Sequence, residues 1–158
     1  MDREQGYDAI KDRFKNYLAL KEGWEELPVT AKPLATGQAI GRPETSDYPL
    51  LRGKEVLLEA TVLSGRGQAF TNSPAKFKGT LKDVLNYNLD NNSRRAIFLA
   101  TLNAVLNHFE IARATVHCRD GEPDQCGQEM ARQVKQEHGP VPVGIVGYQP
   151  GIISGCVK

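Results

Sequence analysis

KEVLLEATVLSGRGQAFT, residues 54–71, carries the pattern that decides the fold. Lys54–Leu63 mixes Val, Leu and Thr in partial alternation, which is the composition and period of a strand. SGRG at 64–67 supplies a turn and Gln68–Thr71 returns antiparallel, so the stretch predicts a β-hairpin. The segments on either side read as helices. Together they predict an α+β fold, a small antiparallel sheet packed on helices.

Upstream, Tyr7, Ile10, Phe14, Tyr17, Leu18 and Lys21 recur at helical spacing, which predicts an amphipathic helix over 3–22 ended by Gly23, with Asp8, Asp12 and Lys15 on its outer face. Prolines and glycines between Trp24 and Pro49 predict loops around short strands, of which 34–40 is the best candidate. Downstream, Thr80 and Asp83 form a capping-box-like opening to a short helix through Tyr87, with Leu81, Val84 and Leu85 facing inward. Asn91 or Asn92 then caps SRRAIFLATLNAVLNHF, whose apolar residues cover more than one face, as a central buried helix requires. A short strand over 114–117 and a polar loop lead to a helix opened by Asp120 or Glu122 ahead of Pro123 and closed by Gly139. VPVGIV at 141–146 reads as a last strand, followed by a turn and a first helical turn.

The 158 residues suffice for one domain of ordinary size, burying roughly 70% of the surface the unfolded chain exposes. Twenty Lys+Arg against nineteen Asp+Glu leave a net charge of +1, too little field to attract nucleic acid or an anionic membrane. The charged amino terminus has no apolar signal core, and the longest apolar run is far short of the about 20 residues of a membrane span. A cytoplasmic protein is expected, and three irregularly spaced cysteines, Cys118, Cys126 and Cys156, fit reduced thiols there.

Several residues carry possible chemistry. His117, Cys118 and Cys126, flanked by Asp120, Glu122 and Asp124, offer the soft donors that suit zinc and heavier thiophilic ions. Against this, the gap between the cysteines is not that of a zinc knuckle, and Cys126 shares a stripe with Met130 and Val134 where a small buried hydrophobe fits. Arg94 and Arg95 stand in the first turn of the long helix, where cations oppose the dipole. They either bind an anion with Arg66, or one of them pairs with Asp90 while the other is solvated. Asn103 inside the apolar helix needs hydrogen-bond partners; it either holds a ligand or ties the helix to a neighbouring loop, and Thr71 at the end of the hairpin presents the same alternatives. No G-x-S-x-G, Walker or H-E-x-x-H motif is present, and no spaced nucleophile accompanies His108, His117 or His138. A self-contained hydrolase is not expected, and the sequence leaves catalysis open. In the terminal segment the glycines at 144, 147, 151 and 155 miss the G-x-G-x-x-G spacing, which excludes the standard dinucleotide fingerprint.

GQAFT (67–71), LATLNAVLNHF (99–109), TVHCRDGEPDQC (115–126) and VGIVGYQP (143–150) together resemble the heavy-metal chelation family. The resemblance implies an enolase-N-terminal-like domain over 1–138 and, over 139–158, the truncated start of a Rossmann-like domain, a βα stub. It implies a small-molecule or heavy-metal ligand, a divalent or heavy-metal ion as the cofactor, and a site at the junction of the two domains. The candidates read from the residues themselves are Thr71, Arg94, Arg95, Asn103 and Asp120 for ligand binding and His117 and Cys118 for metal ligation. The alternative reading is a non-catalytic interaction module, or a half-enzyme, completed by a separate Rossmann-like chain or by homodimerisation.

Overall fold

The computed structural model describes residues 3–156, so Val157 and Lys158 of the expected stub lie outside the described residues. The chain divides into two compact units. One holds the residues up to Leu34 together with Val56–Val116, and the other holds Ala35–Glu55 together with the residues from His117 onward.

The first unit is an antiparallel sheet covered by helices. β1 (Pro28–Pro33), β2 (Val56–Val62), β3 (Gly65–Thr71) and β4 (Phe77–Thr80) lie in the order β3-β2-β1-β4. The predicted hairpin forms as β2 and β3, with Val56 opposite Thr71 and Val62 opposite Gly65. Its turn falls at Leu63 and Ser64, before the first glycine of SGRG. Leu63 takes the left-handed φ of 52°, a conformation that costs an L-residue about 1–2 kcal/mol. The glycines serve another purpose. A methyl group at Gly65 would overlap the Ala104 carbonyl oxygen, and one at Gly67 the Ala104 amide nitrogen and the Ala100 carbonyl oxygen. Backbone therefore packs directly on backbone between β3 and the long helix.

That helix, α5 (Asn92–His108), is capped by Asn91, whose Oδ1 accepts from the Arg94 amide at 3.0 Å. Ala96, Ile97, Phe98, Ala100, Ala104 and Val105 are buried on it, in one core with Val29 and Ala31 of β1 and Leu58, Ala60 and Val62 of β2. α4 (Leu81–Leu85), with the expected Thr80/Asp83 capping box, adds Leu81, Val84 and Leu85. α1 (Arg3–Leu18) adds Phe14 and Leu18, the Phe14 ring meeting Phe98 edge-on at 6.3 Å. α1 ends four residues earlier than expected, in a turn before Gly23 at φ 67°, and Ile10 of its predicted apolar stripe is exposed.

The strand expected over 34–40 lies instead at 28–33. Pro28 and Pro33 stand at its two ends, where a missing N–H interrupts the ladder least, and residues 36–39 form a single helical turn, α2 (Thr36–Ala39). Residues 114–117 form no strand, yet the Thr115 carbonyl accepts from the Gln68 amide at 2.9 Å and its hydroxyl donates to the Arg66 carbonyl at 2.7 Å.

The second unit contains α2, α3 (Pro49–Arg52), α6 (Glu122–His138) and α7 (Pro150–Cys156). Residues 141–146 pair with no strand among the described residues, and Val141, Val143 and Val146 are exposed. The expected strand therefore does not form, because an isolated strand has nothing to satisfy its backbone groups or cover its faces. The helix after it does form, and small residues explain why. Gly127 and Ala131 make the buried face of α6, and side chains at Gly127 or Gly155 would collide with the facing helix. The expected stripe of Cys126, Met130 and Val134 is thus displaced by one residue: Cys126 and Met130 are exposed.

Candidate functional site

The second unit gathers its reactive side chains where α6 begins. Pro123 occupies the first turn of that helix without loss of a useful N–H. Glu122 folds its carboxylate back to accept from the Arg119 amide at 2.9 Å, while its own amide donates to the Arg119 carbonyl at 3.0 Å. Asp120 sits at the left-handed φ of 56°, a conformation that Asp tolerates better than most residues. Its amide donates to the Ile40 carbonyl at 2.8 Å, and its Oδ1 accepts from the Arg42 amide at 2.9 Å. Gly41 at φ 70° allows this approach, since a methyl group there would strike the Asp120 carboxylate. Arg119 adds a bond from its guanidinium to the Gly37 carbonyl at 3.1 Å. The loop 117–121 is therefore fastened to the 37–42 segment through backbone groups.

On this frame Cys118, half-buried, neighbours Cys126, one helical turn into α6; burial, then the neighbouring Cys126, push the Cys118 thiol up from its ordinary value. Both sulfurs stand near the phenol of Tyr48, a buried residue whose hydroxyl donates to Asp124 Oδ1 at 2.9 Å. Burial, followed by that hydrogen bond, raises the Tyr48 pKa, so the phenol stays protonated. The other Asp124 oxygen is buried without a hydrogen-bond partner. His117 Nδ1 lies 2.6 Å from the Cys118 carbonyl. A carbonyl only accepts, so Nδ1 carries the proton. Among the described residues no group of three or more His, Cys, Asp and Glu is arranged to hold a metal ion. What the fold brings together is a pair of thiols beside a phenol and a carboxylate.

The other residues singled out in the sequence lie in the first unit and are engaged there. The Thr71 hydroxyl accepts from the Ser73 amide at 3.0 Å, a turn contact. Asn103 Nδ2 donates to the Gln68 carbonyl at 2.9 Å and ties α5 to β3. Arg94 pairs with Asp90 at 3.4 Å and lies over the Tyr87 ring. Arg95 is buried, donating from Nε to the Leu89 carbonyl at 2.7 Å and from its guanidinium to the Asp90 carbonyl and Asn92 Oδ1, against the Tyr7 ring. It is not solvated: its charge closes the turn that leads into α5. Arg66 is paired with Glu59 at 2.6 Å, and Gln68 donates to the same carboxylate.

No family model, curated protein or solved structure matched this chain.

Two pairs escaped the reading of the sequence. Tyr48 and Asp124 stand 76 positions apart, and nothing local marks them as partners. Ser64 Oγ lies 2.8 Å from His108 Nδ1, joining the hairpin turn to the last turn of α5. Among the described residues no carboxylate is hydrogen-bonded to His108, so the third group of a catalytic triad is missing there and the contact acts as a clasp between the two elements.

Proposed function

We propose that this chain binds a soft, thiophilic metal ion through Cys118 and Cys126. The observation that carries the reading is the placement of Cys118, on the fastened loop, and Cys126, at the start of α6, as neighbours of each other and of Tyr48. Thiolates select soft ions, and a fastened loop and a regular helix carry the two sulfurs. The resemblance to the heavy-metal chelation family supports the same ligand class, and with it an enolase-N-terminal-like identity for the antiparallel sheet and its helices. The proposed ligand set departs from the residue pair the resemblance implies, replacing His117 with Cys126. Solvent completes the coordination, since two thiolates leave positions open.

Cadmium titration of the reduced protein tests this reading. The expected result is a sulfur-to-metal charge-transfer band that saturates at one ion per chain, is lost in Cys118→Ser and Cys126→Ser, and persists in Cys156→Ser. A flat ultraviolet spectrum with an unchanged Tm rejects metal binding.

A second reading rests on the exposed valines of 141–146. In it the segment adds as a strand to the parallel sheet of a Rossmann-like partner, because an extended apolar run followed directly by α7 has the strand-to-helix order of such sheets. Light scattering across a concentration series separates the cases. A lone monomer that also fails to associate with a Rossmann-like domain ends this reading, and a self-dimer replaces that partner with a second copy.

A further inference from the structure

The face of the sheet opposite α5 carries a charge pattern set by strand register. Residues directly opposite one another in an antiparallel pair share a face. Arg66 stands opposite Thr61, Thr61 opposite Thr30, and Thr30 opposite Lys78, so these four make one row across β3, β2, β1 and β4. Gln68, Glu59 and Lys32 make the next row. The alternate positions Val29, Ala31, Leu58, Ala60 and Val62 enter the core, whereas Thr30, Lys32, Thr61, Arg66 and Lys78 are exposed. By strand spacing the first row spans about 14 Å, with Lys32 about 7 Å further along β1. Phe70 shares this face of β3 and is exposed as well. The one carboxylate in the two rows is masked: Glu59 is buried, and its Oε2 accepts from Arg66 at 2.6 Å and from Gln68 at 2.8 Å. Arg66 keeps 59% of its side chain exposed in that pair, and its fork has donors left for a second anion.

We propose that this face binds single-stranded nucleic acid, with Lys32, Arg66 and Lys78 on backbone phosphates and Phe70 against a base. Charge complementarity selects the partner class. Three exposed cations beside one neutralised carboxylate attract a polyanion, and the net charge of +1 sums the whole chain rather than the local field a ligand meets. Thr30 and Thr61, between the cations, supply hydroxyl donors of the kind that hold phosphate oxygens. A sheet face suits a single strand better than a duplex, because splayed bases can lie on an aromatic ring while the stacked bases of a duplex cannot. Such contacts follow the backbone and read little sequence. All of these residues belong to the unit that lacks Cys118 and Cys126, so oligonucleotide binding does not depend on a metal.

Fluorescence anisotropy of the full chain with a labelled oligothymidylate of about 12 nucleotides tests this. The expected result is binding at low salt that weakens as salt rises, with a slope of log K against log salt near −2, about −0.7 for each of three phosphates. Lys32→Gln and Lys78→Gln each flatten that slope by about 0.7, and the double variant binds at least about tenfold more weakly at low salt. Lys135→Gln, an exposed cation of α6, leaves binding unchanged. Phe70→Leu weakens binding at every salt concentration without altering the slope. The lysines are exposed, so an unchanged Tm in their variants separates lost binding from lost folding, and they test the face even where Phe70→Leu fails to fold. No anisotropy change at low salt, or a slope and affinity that the two lysine substitutions leave as they were, overturns the proposal. Equal affinity for a duplex of the same length removes the single-strand preference and overturns it, and equal affinity for polyglutamate does so by assigning the face to acidic peptides.

Discussion

Arg95 shows how a single charge can be structural. Its three donor contacts run to the chain immediately before and at the start of α5, and its planar guanidinium covers Tyr7. Arg94, its neighbour, is exposed and holds one long ion pair. Arg95→Ala leaves the Leu89 and Asp90 carbonyls without their charged donor and is expected to cost about 3 kcal/mol, whereas Arg94→Ala stays within about 0.5 kcal/mol. Urea unfolding of the two variants checks this contrast, and equal losses would contradict it. The doublet RR at 94–95 shows two cations against a helix dipole. Only the depth of each side chain separates their roles, and depth depends on α1, far away in sequence. Cys126 makes the same point: one residue of helical phase separates an exposed thiol from the buried Gly127.

At the scale of elements, local signals carried furthest where they act within one turn. The Asn91 cap of α5 and the Thr80/Asp83 box of α4 were both legible, because capping is a contact between residues three apart. In the box, Asp83 accepts from the Thr80 amide at 2.8 Å and from its hydroxyl at 2.9 Å. These bonds, the amide first, hold the Asp83 carboxyl below its ordinary value. A folded-state pKa below the unfolded one stabilises above the ordinary carboxylate range, and that contribution is lost as pH falls through the folded value. Thr80→Ala is expected to destabilise the protein by about 1 kcal/mol near neutral pH and to move the Asp83 titration upward, part of the way to its ordinary value. Carboxyl-carbon NMR titration beside urea unfolding reads both effects, and an Asp83 titration that does not move would refute the role given to the hydroxyl. The hairpin was legible in its alternation but not in its turn. The glycines of SGRG mimic a turn signal, yet Gly65 and Gly67 answer to the close approach of α5, and the left-handed position falls to Leu63. β1 was displaced because prolines read as loop punctuation, while both of them stand at strand ends.

For the whole molecule, no described helix is long and apolar enough to cross a membrane. In the segment before α7, Val146 is fully exposed and Val141, Val143 and Tyr148 are open to solvent. Elastase is expected to cut first near Val146, where no ladder protects the backbone. α7 should remain bound after the cut, because Gly127 and Gly155 let its backbone pack closely on α6. Mass spectrometry of the early fragments and gel filtration of the nicked protein test both parts; first cleavage elsewhere, or release of the carboxy-terminal peptide, would count against this account. The sequence alone determined the α+β class, the long helices α5 and α6 and the β2–β3 pairing, since periods of 3.6 and 2 and residue-level caps are properties of neighbours along the chain. Only the tertiary structure decided that Cys118 neighbours Cys126, that Tyr48 bonds Asp124 and that Arg95 is buried. Those outcomes depend on which helix face turns inward and what is pinned beside it: close packing at Gly127 sets the phase of α6, Gly41 admits the Asp120 carboxylate that pins its loop, and Tyr7 of α1 covers Arg95.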